Sequence, residues 1–153
     1  LIFSFVTIYE LRFANYIIGK DYMWILIILI VCVSTDVGGY IFGKIFKGPK
    51  LTKLSPNKTY AGMFGGYILS LIALSFSFQY FKLELSIEWL FFTLLVSSVS
   101  QLGDIIISYF KRLSKIKDTG KIIPGHGGLL DRVDGMIFAF PFAYIIILTG
   151  AFN

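Results

Sequence analysis

Four stretches of this chain, Tyr22 to Ile45, Tyr60 to Phe81, Ile87 to Phe110 and Val133 to Phe152, each reach the length of about 20 mostly apolar residues that crosses a bilayer. Leu1 to Tyr9 reads as a fifth such stretch, cut short. Apolar character runs all the way round these segments, so length separates helix from strand better than periodicity does. In lipid, only helices and closed barrels satisfy their own backbone. The expected fold is therefore all-α, a polytopic transmembrane helix bundle of about four full spans plus a truncated N-terminal one. Residues 1–153 read as a single membrane-embedded domain. With no initiator Met and an apolar start, the chain is expected to be the C-terminal part of something longer.

Composition agrees: 56% of residues are hydrophobic and 18% aromatic, with a mean hydropathy of +0.78, which is beyond the range of an ordinary soluble domain. The one cysteine, Cys32, lies in an apolar stretch and excludes a disulfide framework. No basic segment precedes Leu1 to Tyr9 and no small-residue cleavage site follows it, so it does not read as a signal peptide. Spacings such as Gly39-x-x-x-Gly43 and Gly62-x-x-x-Gly66 suit close helix approach, and equally suit frayed helix ends.

Of the fourteen Lys and Arg residues, eleven fall in two connections, Lys44 to Lys58 and Lys111 to Arg132. The positive-inside rule makes both cytoplasmic. Glu10 to Asp21, Lys82 to Ser86 and Asn153 then lie on the far side. The net charge of +5 is thus local, placed to meet anionic headgroups or a nucleotide. Nucleic acid is not an expected partner, because no separate domain exists to hold it.

Against this background the acids stand out. Asp36 sits inside an apolar segment, toward its cytoplasmic end, where an ionisable group costs on the order of 2 to 3 kcal/mol. A metal or substrate contact lined by Ser34, Thr35, Gly38 and Gly39 would explain it; so would a carboxylate reaching the headgroups or a nearby lysine. Asp104 is similarly placed, and Asp104, Ser108, Lys111 and Lys115 share one helical face, a column able to hold a metal below and phosphates above. Gly125, Gly127 and Gly128 around His126 can turn backbone N–H groups inward as an anion nest. Asp131 and Asp134 open the last span. They could serve as a helix cap, but with Arg132 in the compartment of Asp104 they read better as oxygen ligands of the kind Mg²⁺ prefers. A single histidine leaves a His-rich zinc site or a Ser/His/Asp triad without parts. Pro49 and Pro56 break helices in the first lysine loop, where Ser55, Asn57, Lys58 and Thr59 can donate to phosphate oxygens.

The string Ser108-x-x-Lys111-Arg112-x-x-x-x-Lys117-Asp118-x-Gly120-x-x-Ile123-Pro124-x-His126-Gly127-Gly128-Leu129-x-Asp131-Arg132-Val133-Asp134 resembles the signature of the phosphatidate cytidylyltransferases, or CDP-diacylglycerol synthases. Asp36 to Gly66 resembles the family's upstream block, with Ser55-Pro56-Asn57-Lys58-Thr59 where the family has a serine-proline-basic-threonine element. The family's N-terminal membrane helices are absent. The resemblance implies that CTP and phosphatidate give CDP-diacylglycerol and pyrophosphate, with Mg²⁺ as cofactor, at the cytoplasmic face of a bacterial inner membrane. It makes Asp104 and Asp131 the first metal ligands, with Asp134 and Asp36 as further ones. Asp104, Asp131, Lys111 and Asp118 become the catalytic set. Ser55, Lys58, Thr59, Ser108, Arg112, Lys117, His126, Gly127, Gly128 and Arg132 become substrate-binding residues. Expected partners are CTP, phosphatidic acid and membrane lipids, with a homodimer one option for assembly. A CTP-dependent polyprenol or lipid kinase would use similar parts, and a cation transporter or channel subunit would use the acids as an ion path.

Overall fold

A computed structural model describes residues 2–14, 23–52, 58–82, 84–116 and 133–149. Five helices follow one another: α1 (Ile2–Ala14), α2 (Met23–Phe46), α3 (Tyr60–Phe81), α4 (Ile87–Leu113) and α5 (Met136–Leu148). The described chain is a helical membrane bundle, as its apolar segments predict. Three helices, α2, α3 and α4, are long and apolar enough to cross a membrane. The fourth predicted span is shorter than its sequence suggests. Asp134 and Gly135 form a turn, and α5 proper has 13 residues, with Pro141 inside it.

The ends of the long helices have local causes. α2 stops at Phe46 because Lys47 and Gly48 take left-handed backbone angles (φ 47° and 58°) just before Pro49, which cannot continue a helix. Beyond that stop, Lys50 bridges to Thr59 in antiparallel fashion, and Leu51 N–H donates to the Lys58 carbonyl at 2.8 Å. Thr59 then caps α3, its hydroxyl accepting from Gly62 N–H at 3.1 Å. The start of α3 is thereby tied to the end of α2. At 1.5 Å per residue the 27 residues of α4 extend about 40 Å, longer than the ~30 Å hydrocarbon layer, so an end of the helix must project from it.

α2 and α3 form the most extensive pair, and they approach until backbone meets backbone. A Cβ on Gly38 would stand 2.5 Å from the Gly65 carbonyl oxygen and 2.9 Å from Leu69 Cβ. Only a residue without a side chain fits there. At the other end of the bundle an aromatic cluster closes the core. Trp24 stacks on Trp89 with ring centroids 4.8 Å apart, and Phe78 meets Trp89 edge-on at the same distance. The polar groups gather where α2 and α4 end and α3 and α5 begin.

Candidate active site

At that polar end lies a cavity of about 460 Å³ between α2, α3, α4 and the start of α5. Four charged side chains line it: Asp36 from α2, Lys58 just before α3, Asp104 from α4 and Asp134 just before α5. The three carboxylates are electrostatic neighbours of one another. Lys58 forms an ion pair with Asp104, and the Ser108 hydroxyl donates to the other oxygen of the same carboxylate at 3.4 Å. Lys111 reaches Asp134 at 3.6 Å, with only 13% and 10% of the two side chains exposed. So well buried an acid needs such partners, because an unpaired charge there would be costly.

Glycine explains how α5 delivers Asp134. A Cβ on Gly135 would lie 2.6 Å from Ser100 Oγ and 2.8 Å from the Ser100 carbonyl oxygen, so the turn presses directly on α4. The Gly135 N–H in turn donates to Asp134 Oδ1 at 2.9 Å, which holds the carboxylate toward the cavity. Asp134 is therefore held by its own turn, and the Asp131 end of the cap it could form lies outside the described residues.

Beneath the charges runs a polar seam. Thr35 Oγ1 bonds the Val31 carbonyl at 2.7 Å and Ser97 Oγ at 2.8 Å. The Gln101 amide donates to the Met63 carbonyl at 3.4 Å and to Ser97 at 3.5 Å. Gln101 lines the cavity one turn before Asp104, a role the sequence reading missed. Its signal was there: a carboxamide inside an apolar segment needs partners.

Several sequence expectations change in detail. Lys58 belongs to the cavity, as Thr59 does, but Lys58 faces Asp104 as a counter-ion. The column Asp104, Ser108, Lys111 stops there, because α4 ends at Leu113 and Lys115 takes a left-handed turn (φ 56°) that carries it into solvent. Arg112 is exposed and does not line the cavity. Ser34 is likewise not among the lining groups, whereas Thr35 and Gly39 are. Ser55, Lys117, Asp118, His126, Gly127, Gly128, Asp131 and Arg132 lie outside the described residues.

Among the described residues, no three Asp, Glu, His or Cys side chains converge closely enough to make a metal site by themselves. The donor set still suits one cation. Mg²⁺ takes one or two carboxylates and completes its shell with water and substrate phosphate oxygens, and Asp104 and Asp134, neighbours in the cavity lining, offer such a pair. Among the described residues Asp36, Asp104 and Asp134 share the cavity end of the bundle, Glu84 and Glu88 lie at the opposite end, and α3 carries no charged residue at all, so the described acids form no ladder through the bundle as an ion path would require.

A helical membrane bundle with three carboxylates and the Lys58 ammonium lining one cavity at its polar end defines a class: integral membrane proteins with a charged cavity among their helices. Within that class, the chain belongs to the cytidylyltransferase family, whose family model matches residues 1–149. It is similar to the phosphatidate cytidylyltransferase of Staphylococcus epidermidis, with 37% identity over 148 residues, covering 95% of this chain and 54% of that protein. The phosphatidate cytidylyltransferase of Staphylococcus haemolyticus is 42% identical over 128 residues, covering 82% and 49%. That of Staphylococcus aureus is 37% identical over 150 residues, covering 96% and 55%. The chain thus spans about half the length of these curated relatives.

Proposed function

We propose that the protein to which this chain belongs transfers a cytidylyl group from CTP to phosphatidate, giving CDP-diacylglycerol and pyrophosphate, with the cavity facing the cytoplasm. The observation that carries the reading is the meeting of Asp36, Asp104 and Asp134 with Lys58 and Lys111 at one end of a bilayer-spanning bundle. Family membership and the names of the relatives support it.

The chemistry suits these groups. An oxygen of the lipid phosphate forms the new bond to the α-phosphorus of CTP, while the bond from that phosphorus to the oxygen bridging to the β-phosphate breaks and pyrophosphate departs. A phosphate monoester is already an anionic nucleophile near neutral pH, so the site needs no strong base. The barrier lies in bringing two polyanions together, and catalysis becomes positioning and charge neutralisation. Lys58 and Lys111 are held by carboxylates until phosphate oxygens offer a better partner. Asp104 and Asp134 would hold Mg²⁺, with Asp131 as a further ligand, and the ion would offset charge on the triphosphate. Thr59 anchors the start of α3, so that Lys58 is presented from a fixed backbone.

The reading is tested in membranes carrying the full-length protein, supplied with phosphatidic acid and CTP labelled at either the α- or the γ-phosphate. Label should enter lipid from α-labelled CTP alone, and Asp104→Asn should abolish it. Transfer of the γ-label would establish a kinase instead. Undiminished CDP-diacylglycerol formation by Asp104→Asn would remove that carboxylate from the mechanism.

A further inference from the structure

A second concavity, of about 270 Å³, lies between α1, α2 and α5 and is lined by apolar side chains, among them Ile8, Ile25, Leu29, Ile137 and Phe140. Its one polar lining residue, Ser4, spends its hydroxyl on the Ile137 carbonyl at 2.7 Å. Two features join this groove to the charged cavity. Met136 lines both, and the residues before it divide: Val133 faces the groove while Asp134 faces the cavity. The first turn of α5 is therefore the partition between an apolar and an ionic compartment.

The second link is a stripe along α2. Ile25, Leu29, Val33 and Val37 follow one another at four-residue intervals and so share a face. The first two line the groove and the last two line the charged cavity. Twelve residues of helix rise about 18 Å, so the stripe is an apolar track leading from the ions down into the bilayer. Leu29, Val33 and Val37 are each more than 40% exposed, so the described helices leave the track uncovered from the groove to the cavity.

We propose that this groove and track hold one acyl chain of the glycerolipid substrate, with Met136 at the bend where chain gives way to phosphate. The inference rests on the function proposed above. A lipid whose phosphate enters the cavity beside Lys111 must leave its chains in hydrocarbon, and the track is an apolar route out of the cavity that ends in a concave seat. Burial of each methylene favours the seat by about 0.8 kcal/mol, so a filled groove should be felt by long chains and not by short ones.

The test uses the full-length protein in lipid nanodiscs, with dioleoyl and dibutyryl phosphatidate as paired substrates. Ile8→Trp and Leu29→Trp fill the groove from its two sides. Each should raise KM for the dioleoyl lipid about tenfold, while kcat with the dibutyryl lipid and KM for CTP stay at the wild-type level. The short-chain reaction also reports that the variant is folded. Phe140→Ala, which enlarges the seat, should shift preference toward longer chains. Equal losses with both lipids, or an unchanged KM for the dioleoyl lipid, would overturn the proposal. So would a disulfide forming between Leu29→Cys and a cysteine scanned through any part of the full-length protein outside residues 1–153, because the groove would then be filled by protein. A wild-type protein that converts neither lipid would overturn the proposed function, and the acyl seat with it.

Discussion

Asp134 and Lys111 pose the sharpest residue-scale question, since each is nearly withdrawn from water and each depends on the other. Lys111→Met leaves a buried carboxylate without that counter-ion and should cost roughly 3 kcal/mol of stability, the usual penalty for breaking such a pair on one side. Adding Asp134→Asn removes the orphaned charge and should restore most of that stability. Activity should not return in the double variant, because the proposed function has both groups facing the phosphates. Thermal unfolding in detergent beside the α-label assay separates the two readouts; a double variant as unstable as Lys111→Met would refute the pairing. The acids themselves were legible in the sequence, because Asp36 and Asp104 sit inside apolar segments where a solvated role is expensive. Their pairing was not. That Lys58 meets Asp104 depends on the axial register of α3 against α4, which neither segment encodes alone.

At the scale of elements, glycines set how closely helices pack, and sequence spacing identified only some of them. Gly39, Gly43, Gly62 and Gly66 were legible as small-x-x-x-small pairs, yet the closest approach to backbone between α2 and α3 is Gly38 against Gly65, which belongs to neither. Helical phase decides this, and a shift of one residue turns a side chain about 100° around the axis. Gly38→Ala should therefore destabilise the α2–α3 pair by about 1–3 kcal/mol, the cost of forcing atoms into a filled interface. Gly39→Ala is the control, because its added Cβ would find the Gly62 carbonyl oxygen at 3.7 Å, an ordinary contact. Alanine's better helix propensity should leave that variant neutral or slightly more stable. Unfolding midpoints of the two variants in one detergent decide the matter, and equal midpoints would refute the packing argument. The bounds of α2, α3 and α4 were legible to within a few residues, because apolar length and capping residues are local properties. The shortness of α5 was not, because the Asp134–Gly135 turn exists to seat Gly135 on Ser100, a contact between distant parts of the chain.

For the whole molecule, the proposed function demands that the cavity open to the compartment that supplies CTP. Helix succession makes a strict statement about this. The α2–α3 connection and the end of α4 must share one side, and the α3–α4 connection must lie on the other. The proposed function takes that shared side as cytoplasmic, and the crowding of eleven of fourteen basic residues into the connections Lys44 to Lys58 and Lys111 to Arg132 supports it through the positive-inside rule. In full-length protein whose Cys32 has been replaced by alanine and whose other cysteines have been removed, single cysteines at Lys50, Lys115 and Glu84 report each side. All three residues are exposed in the bundle. A membrane-impermeant maleimide added to intact bacterial spheroplasts should label Glu84→Cys at once and the other two only after permeabilisation. Labelling of Lys50→Cys from outside would place the carboxylates and lysines on the side without nucleotide. In that event the cavity could not be a CTP site, however well its charges fit one.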